Sequence, residues 1–184
     1  MLLDDILTFN QNFVEEKQYL PYETDVFPNK RMVIFTCMDS RLLELLPKAL
    51  NLKNGDTKIV KNAGAILNDH YDSIMKSLLV AVYALKADEI LVIGHRSCGM
   101  HNFSKEKIVE QMDSRGVRET ALQEIEKDGI DLDQWLSGFS SVEESVENSV
   151  DVIRTHPLLP NDVPVHGLVI DPATGKLDLV KNGY

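Results

Sequence analysis

The chain is poor in cysteine, with two in 184 residues. At most one disulfide can form, and a chain of this length builds a core large enough not to need one. Long apolar runs are missing too. No stretch approaches the roughly 20 residues that cross a bilayer as a helix. Basic residues are outnumbered, 19 Lys and Arg against 29 Asp and Glu, for a formal net charge of -10. That balance argues against nucleic acid or an anionic membrane surface as partner, although it leaves room for a locally positive pocket. The N-terminus, Met1-Leu2-Leu3-Asp4-Asp5, has neither the basic region nor the small-residue cleavage site of a secretory signal, so cytoplasmic residence is expected. No Gly-x-Gly-x-x-Gly phosphate fingerprint occurs around Gly94 and Gly99. No internal repeat and no linker divides the chain, and one domain over 1–184 is expected.

What is present is a rhythm of short apolar runs and amphipathic stretches. Leu3 to Tyr19 reads as a helix with Ile6, Leu7, Phe13 and Val14 near one face. Pro21 and Pro28 bracket a loop, so residues 1–28 form a helical arm. Met32–Thr36, Thr57–Val60 and Glu89–Ile93 read as strands, with a short helix from Leu42 to Leu46 and a clear one from Asp69 or Asp72 to Leu85. Lys105–Met112, Val117–Lys127 and Asp131–Leu136 read as short helices. Ser141–Thr155 is another, with Val142, Val146, Val150 and Ile153 at helical spacing. Val165–Ile170 and Leu177–Val180 flank a turn at Asp171–Lys176 and read as a hairpin. Strands alternating with helices predict an α/β fold, a three-layer domain whose mainly parallel central sheet is flanked by helices.

Both cysteines lie in polar clusters at strand ends: Cys37-Met38-Asp39-Ser40-Arg41 after the first strand, and His95-Arg96-Ser97-Cys98-Gly99 after the third. Ligands of a parallel sheet gather outside the carboxyl ends of its strands. If these two strands are neighbours, Cys37, Asp39, His95 and Cys98 converge as the donor set of a zinc site, two thiolates and an imidazole with water or Asp39 in fourth place. Arg41, two residues beyond Asp39, is placed for a charge-assisted pair with it. Plainer readings stand beside this one. Buried thiols are often small hydrophobes, Asp39–Arg41 can be an ordinary ion pair, and the thiols could form a redox or nucleophilic pair. The loop Asn62-Ala63-Gly64-Ala65 either offers backbone N–H groups to an anion or is simply a tight turn. His70, His101, His156 and His166 have no second ligand at motif spacing.

With these segments in view, the chain resembles the β-class carbonic anhydrases, closest to their compact bacterial type. Cys37–Arg41 matches the family's Cys-x-Asp-Ser-Arg segment, His95–Gly99 its His-x-x-Cys-Gly segment, and Asn62-Ala63-Gly64 a loop between them. The tail, from Val146–Ile153 through Val165-His166-Gly167 to Asp171–Leu177, is also similar. The resemblance implies Zn2+ held by Cys37, His95 and Cys98. It implies catalytic roles for Asp39 and Arg41, with Asp39 either paired to Arg41 or swung onto the metal in a closed form. It makes Asn62, Ala63 and Gly64 a substrate- or anion-binding loop. The implied reaction is hydration of carbon dioxide to bicarbonate in a homodimer or homotetramer, with the arm packing on a partner subunit. Relatives that hydrolyse carbonyl sulfide or carbon disulfide, and a closed zinc site of purely structural use, are the alternatives. The chain departs from the commonest pattern at Ala65, where a second glycine is usual, and at Arg96-Ser97, where Thr-Asp is frequent.

Overall fold

A computed structural model describes residues 1–117 and 119–184. Five strands form one sheet in the order β2-β1-β3-β4-β5: β1 (Met32–Cys37), β2 (Thr57–Asn62), β3 (Glu89–His95), β4 (Val165–Ile170) and β5 (Leu177–Lys181). The first four strands pair in parallel, and β5 returns antiparallel to β4 across the expected turn. Among the described residues seven α-helices accompany them: α1 (Leu2–Glu15), α2 (Leu42–Ala49), α3 (Ser73–Tyr83), α4 (Lys105–Ser114), α5 (Glu119–Lys127), α6 (Leu132–Trp135) and α7 (Val142–Arg154). The expected fold class therefore holds, a mainly parallel sheet flanked by helices.

Alternation along the strands builds a core on each face. Val33 and Phe35 of β1, Ile90 and Val92 of β3, and Val165 and Val169 of β4 face α3 and α7. Ile34, Ile93 and Ile170 face the other way, with Leu42 and Leu46 of α2. The valine-rich helix α7 lies against β3 and β4 because glycine removes the side chains beneath it. A Cβ on Gly94 would come within 2.7 Å of Val146 Cγ2 and 2.8 Å of Val142 Cγ2, and one on Gly167 within 2.8 Å of Val146 Cγ1. Filling either gap would overpack the interface at a cost of about 1–3 kcal/mol.

Several boundaries differ from expectation for local reasons. The first helix stops at Glu15 rather than Tyr19, because Lys17 takes a left-handed turn (φ 54) and Gln18 N–H closes onto the Phe13 carbonyl. Pro47 lies inside α2 rather than at its end. The helix loses one N–H there and runs on to Ala49, where a left-handed Asn51 (φ 52) ends it. β1 and β3 reach further than their apolar runs. Cys37 still pairs with Asn62, and His95 with Ile170, so both are the last residues of strands rather than loop residues. Among the described residues no helix is long and apolar enough to cross a membrane.

Candidate metal centre

The site depends on β3 lying beside β1 rather than beside β2. With that order the carboxyl ends of β1 and β3 are adjacent, and Cys37, His95 and Cys98 place one donor atom each within 4.8 Å of one another. All three are buried, His95 at 1% exposure. Ser97 takes a left-handed conformation (φ 54), which turns the chain after His95 so that Cys98 comes back toward it.

The chemistry of the donor set fits a metal ion. His95 Nδ1–H donates to the Arg96 carbonyl at 3.0 Å, which leaves the Nε2 lone pair free. That Nε2 is buried with no hydrogen-bond partner. An orphaned buried acceptor is costly in a core but is what a metal-binding imidazole requires. The sulfurs lie 3.9 Å apart. The hydrogen bond between them pushes the Cys37 thiol well below its ordinary pKa and the Cys98 thiol above it. Each sulfur also accepts a backbone N–H, Gly64 to Cys37 at 3.4 Å and Met100 to Cys98 at 3.5 Å. Such donors suit sulfur that carries negative charge.

Asp39 stands beside this cluster but is engaged elsewhere. Its Oδ1 accepts from Arg41 Nε and from the Arg41 backbone N–H, both at 2.9 Å, and its Oδ2 accepts from Arg41 Nη2 at 2.7 Å. Arg41 Nη2 also donates to the Ser97 carbonyl at 3.0 Å, tying the first cluster to the second. The side-chain hydrogen bonds from Arg41 hold the Asp39 carboxyl down to about 2, against the opposing effect of burial. Asp39 Oδ2 lies 3.7 Å from His95 Nε2, so the carboxylate borders the donor set while both its oxygens belong to Arg41.

The loop after β2 is held from within and tied to the Cys37 sulfur. Asn62 folds back on the loop, its Oδ1 accepting from Ile66 N–H at 3.2 Å and its Nδ2 donating to the Ile66 carbonyl at 2.8 Å. Gly64 (φ 85) and Ala65 (φ 56) are both left-handed, and the Gly64 N–H is spent on the Cys37 sulfur. The other histidines stay outside the cluster. His166 sits 3.0 Å from Glu89, His101 Nε2–H donates to the Ser140 carbonyl, and His70 and His156 meet edge to face.

Sequence reasoning missed three supporting residues. Arg96 bridges Glu143 of α7 at 2.9 Å and Asp178 of β5 at 3.1 Å, fixing the turn whose carbonyl orients His95. Met100 supplies a backbone donor, which no side-chain pattern reveals. Ser149 did leave a signal, as a polar residue on the apolar stripe formed by Val142, Val146, Val150 and Ile153.

The carbonic anhydrase family model matches residues 32–177. YtiB of Bacillus subtilis, a provisionally assigned carbonic anhydrase, is 56% identical over 183 residues, covering 100% of this chain and 98% of that protein. The crystal structure of a β-carbonic anhydrase from Trichomonas vaginalis superposes with a TM-score of 0.91 at 34% identity, covering 100% of both chains. A carbon disulfide hydrolase from Acidianus is 30% identical over 164 residues, covering 81% of this chain and 76% of that protein.

Proposed function

The chain belongs to the β-carbonic anhydrase family, and on that premise we propose that it catalyses the reversible hydration of carbon dioxide to bicarbonate and a proton, with zinc held by Cys37, His95 and Cys98. The observation that carries this reading is the Asp39–Arg41 pair. Both carboxylate oxygens are held by Arg41, which supports a reading in which Cys37, His95 and Cys98 would hold zinc and a fourth place would remain for solvent, as a catalytic rather than a structural zinc site requires. Zinc bound there would act as a Lewis acid that brings the ionisation of water down toward neutral pH.

The protein's own groups do the rest. Gly64 and Met100 N–H groups support the two sulfurs, and the Arg96 carbonyl fixes the tautomer of His95. Asp39, ionised down to about pH 2, is the acceptor beside the donor set and orients the attacking water through a hydrogen bond. Arg41 keeps that carboxylate in place and charged. The apolar side chains packed with the two cysteines, Ile93, Met100 and Phe139 among them, suit a small uncharged substrate better than an ionic one.

Two thiolates give the metal more negative charge than three neutral imidazoles would. Hydration is therefore expected to speed up as pH rises. Stopped-flow carbon dioxide hydration between about pH 6 and 9, with zinc measured on the same sample, tests this. Bound zinc with no hydration at any pH would overturn the reading, and a flat profile would contradict its charge argument. The kinship with a carbon disulfide hydrolase favours a second reading, hydrolysis of carbonyl sulfide or carbon disulfide at the same centre. Sulfide release in the same apparatus, with carbon dioxide inert, would select it.

The exposed face of α1 supports an assembly as part of the same proposal. Leu2, Leu3, Ile6, Leu7 and Phe9 are exposed, and no residue of the helix is buried. A 14-residue helix gains little stability alone in water. On this proposal the helix packs on a second copy of the chain in a homodimer or homotetramer, the role proposed for the arm over residues 1–28. Residence in the cytoplasm is part of the same proposal.

A further inference from the structure

Ser149 is a buried hydroxyl in the middle of α7, at 1% exposure between Val146 and Val150. Serine inside a helix commonly bonds the carbonyl four residues back. Ser149 instead reaches across to the loop after β2. Its Oγ accepts the Leu67 N–H at 3.1 Å and donates to the Ala65 carbonyl at 3.2 Å. The residues it grips are the unusual ones. Gly64 and Ala65 are consecutive left-handed residues, and Ala65 carries a Cβ that disfavours this conformation by about 1 kcal/mol or more. A Cβ on Gly64 would meet Ile66 Cδ1 at 2.9 Å and Met100 Cγ at 3.0 Å, so the loop is closely packed as well as strained. Such a conformation persists only where its surroundings over-determine it. Asn62 supplies one restraint from within the loop and Ser149 the other, from a helix on the far side of it.

The product of this bracing is one N–H aimed at one sulfur, Gly64 to Cys37 at 3.4 Å. We infer that Ser149 is a positioning residue of the metal centre, acting from α7 through the Ala65–Leu67 backbone to hold the Gly64 N–H on the Cys37 thiolate. The inference rests on the zinc reading above. A hydrogen bond of this kind draws electron density from a metal-bound thiolate and fixes its direction. Partners of ligands typically affect metal affinity by about 10- to 100-fold.

Cobalt loading of the full-length apo-protein tests it. Affinity is read by competition with a chromophoric chelator, and the sulfur donation by the thiolate-to-cobalt absorption. Ser149→Ala is expected to bind cobalt about 10-fold more weakly and to shift that absorption to longer wavelength, because the Cys37 sulfur becomes more electron-rich. Ser149→Thr, which keeps the hydroxyl, is expected to retain the wild-type affinity and band. Val150→Ala, a neighbouring core truncation with no bond to the loop, should lower the melting temperature and leave both unchanged. Wild-type affinity and band in Ser149→Ala, or equal weakening in Val150→Ala, would overturn the inference and reduce Ser149 to core packing. If Ser149→Ala does not fold, cadmium-loaded wild-type protein decides. A through-hydrogen-bond coupling between the Gly64 amide proton and the spin-active cadmium nucleus supports the inference, and its absence from a well-resolved Gly64 signal overturns it. Wild-type protein that takes up cobalt with no thiolate absorption would refute the metal reading itself, and this one with it.

Discussion

The carboxyl ends of β1 and β3 and the helix α1 are opposites in how they use their residues. At the strand ends nearly every polar group has a partner inside the chain. Asp39 has Arg41, Cys37 has Gly64, Cys98 has Met100, and the Arg96 carbonyl has His95. The buried exception, His95 Nε2, is the atom a metal would take. In α1 the apolar side chains Leu2, Leu3, Ile6, Leu7 and Phe9 are exposed, and the helix buries none of its residues. The first region presents a donor set that could hold an ion, and the second presents an apolar face that, on the proposal above, a second copy of the chain covers. The difference teaches that unsatisfied groups can point in two directions, an orphaned lone pair toward a metal and an orphaned apolar face toward a protein surface.

The contrast can be broken most severely at the metal end. Cys98→Ser removes one of two sulfur donors, and zinc and activity are expected to fall together to background, read by metal analysis and stopped flow on the same preparation. Asp39→Asn keeps all three proposed ligands and is expected to retain zinc while hydration falls by about 100-fold or more. Normal zinc with unchanged turnover would show Asp39 to be misassigned. The α1 end is predicted to respond in the reverse pattern. Ile6→Glu with Phe9→Glu, both at exposed positions, should lower the assembly mass in light scattering while zinc stays bound. An unchanged mass would remove α1 from the interface.

The smallest expected effect is on acid stability. Arg41 depresses Asp39 from 3.8 to about 2. The stability contributed by that pair is fully present above the ordinary aspartate pKa and is lost as pH falls through about 2. Arg41→Met should therefore lower stability above about pH 4 and leave it unchanged below about pH 2, where the carboxyl is protonated in every state. Equal destabilisation at both ends of that range would show that Arg41 acts through packing alone.

Much of this donor cluster is legible in the sequence. The apolar runs Met32–Thr36 and Glu89–Ile93 each end in a cluster of donors, and parallel strands bring such ends to one edge. What the sequence could not show was that β3 pairs with β1. Chain order places β2 between them, and only the sheet order β2-β1-β3 makes Cys37 and His95 neighbours. Backbone chemistry was equally hidden. Ser97 and Ala65 are left-handed without being glycine, and local propensity gives no hint of that, because tertiary contacts impose it. The Asn62–Gly64 loop carried an anion-binding pattern, yet its Gly64 N–H serves a sulfur. The helix α1 was recognised from its periodicity, which predicts an apolar face but does not say which chain covers it.

X-ray absorption at the zinc edge of the purified protein near neutral pH tests the central claim most directly. Two sulfurs at about 2.3 Å, one imidazole nitrogen at about 2.0–2.1 Å and one further light atom from solvent are predicted, the last retained in Asp39→Asn. A shell with fewer than two sulfurs, or a fourth donor that disappears in Asp39→Asn, would contradict the assignment of Cys37, His95 and Cys98 as an open centre guarded by the Asp39–Arg41 pair.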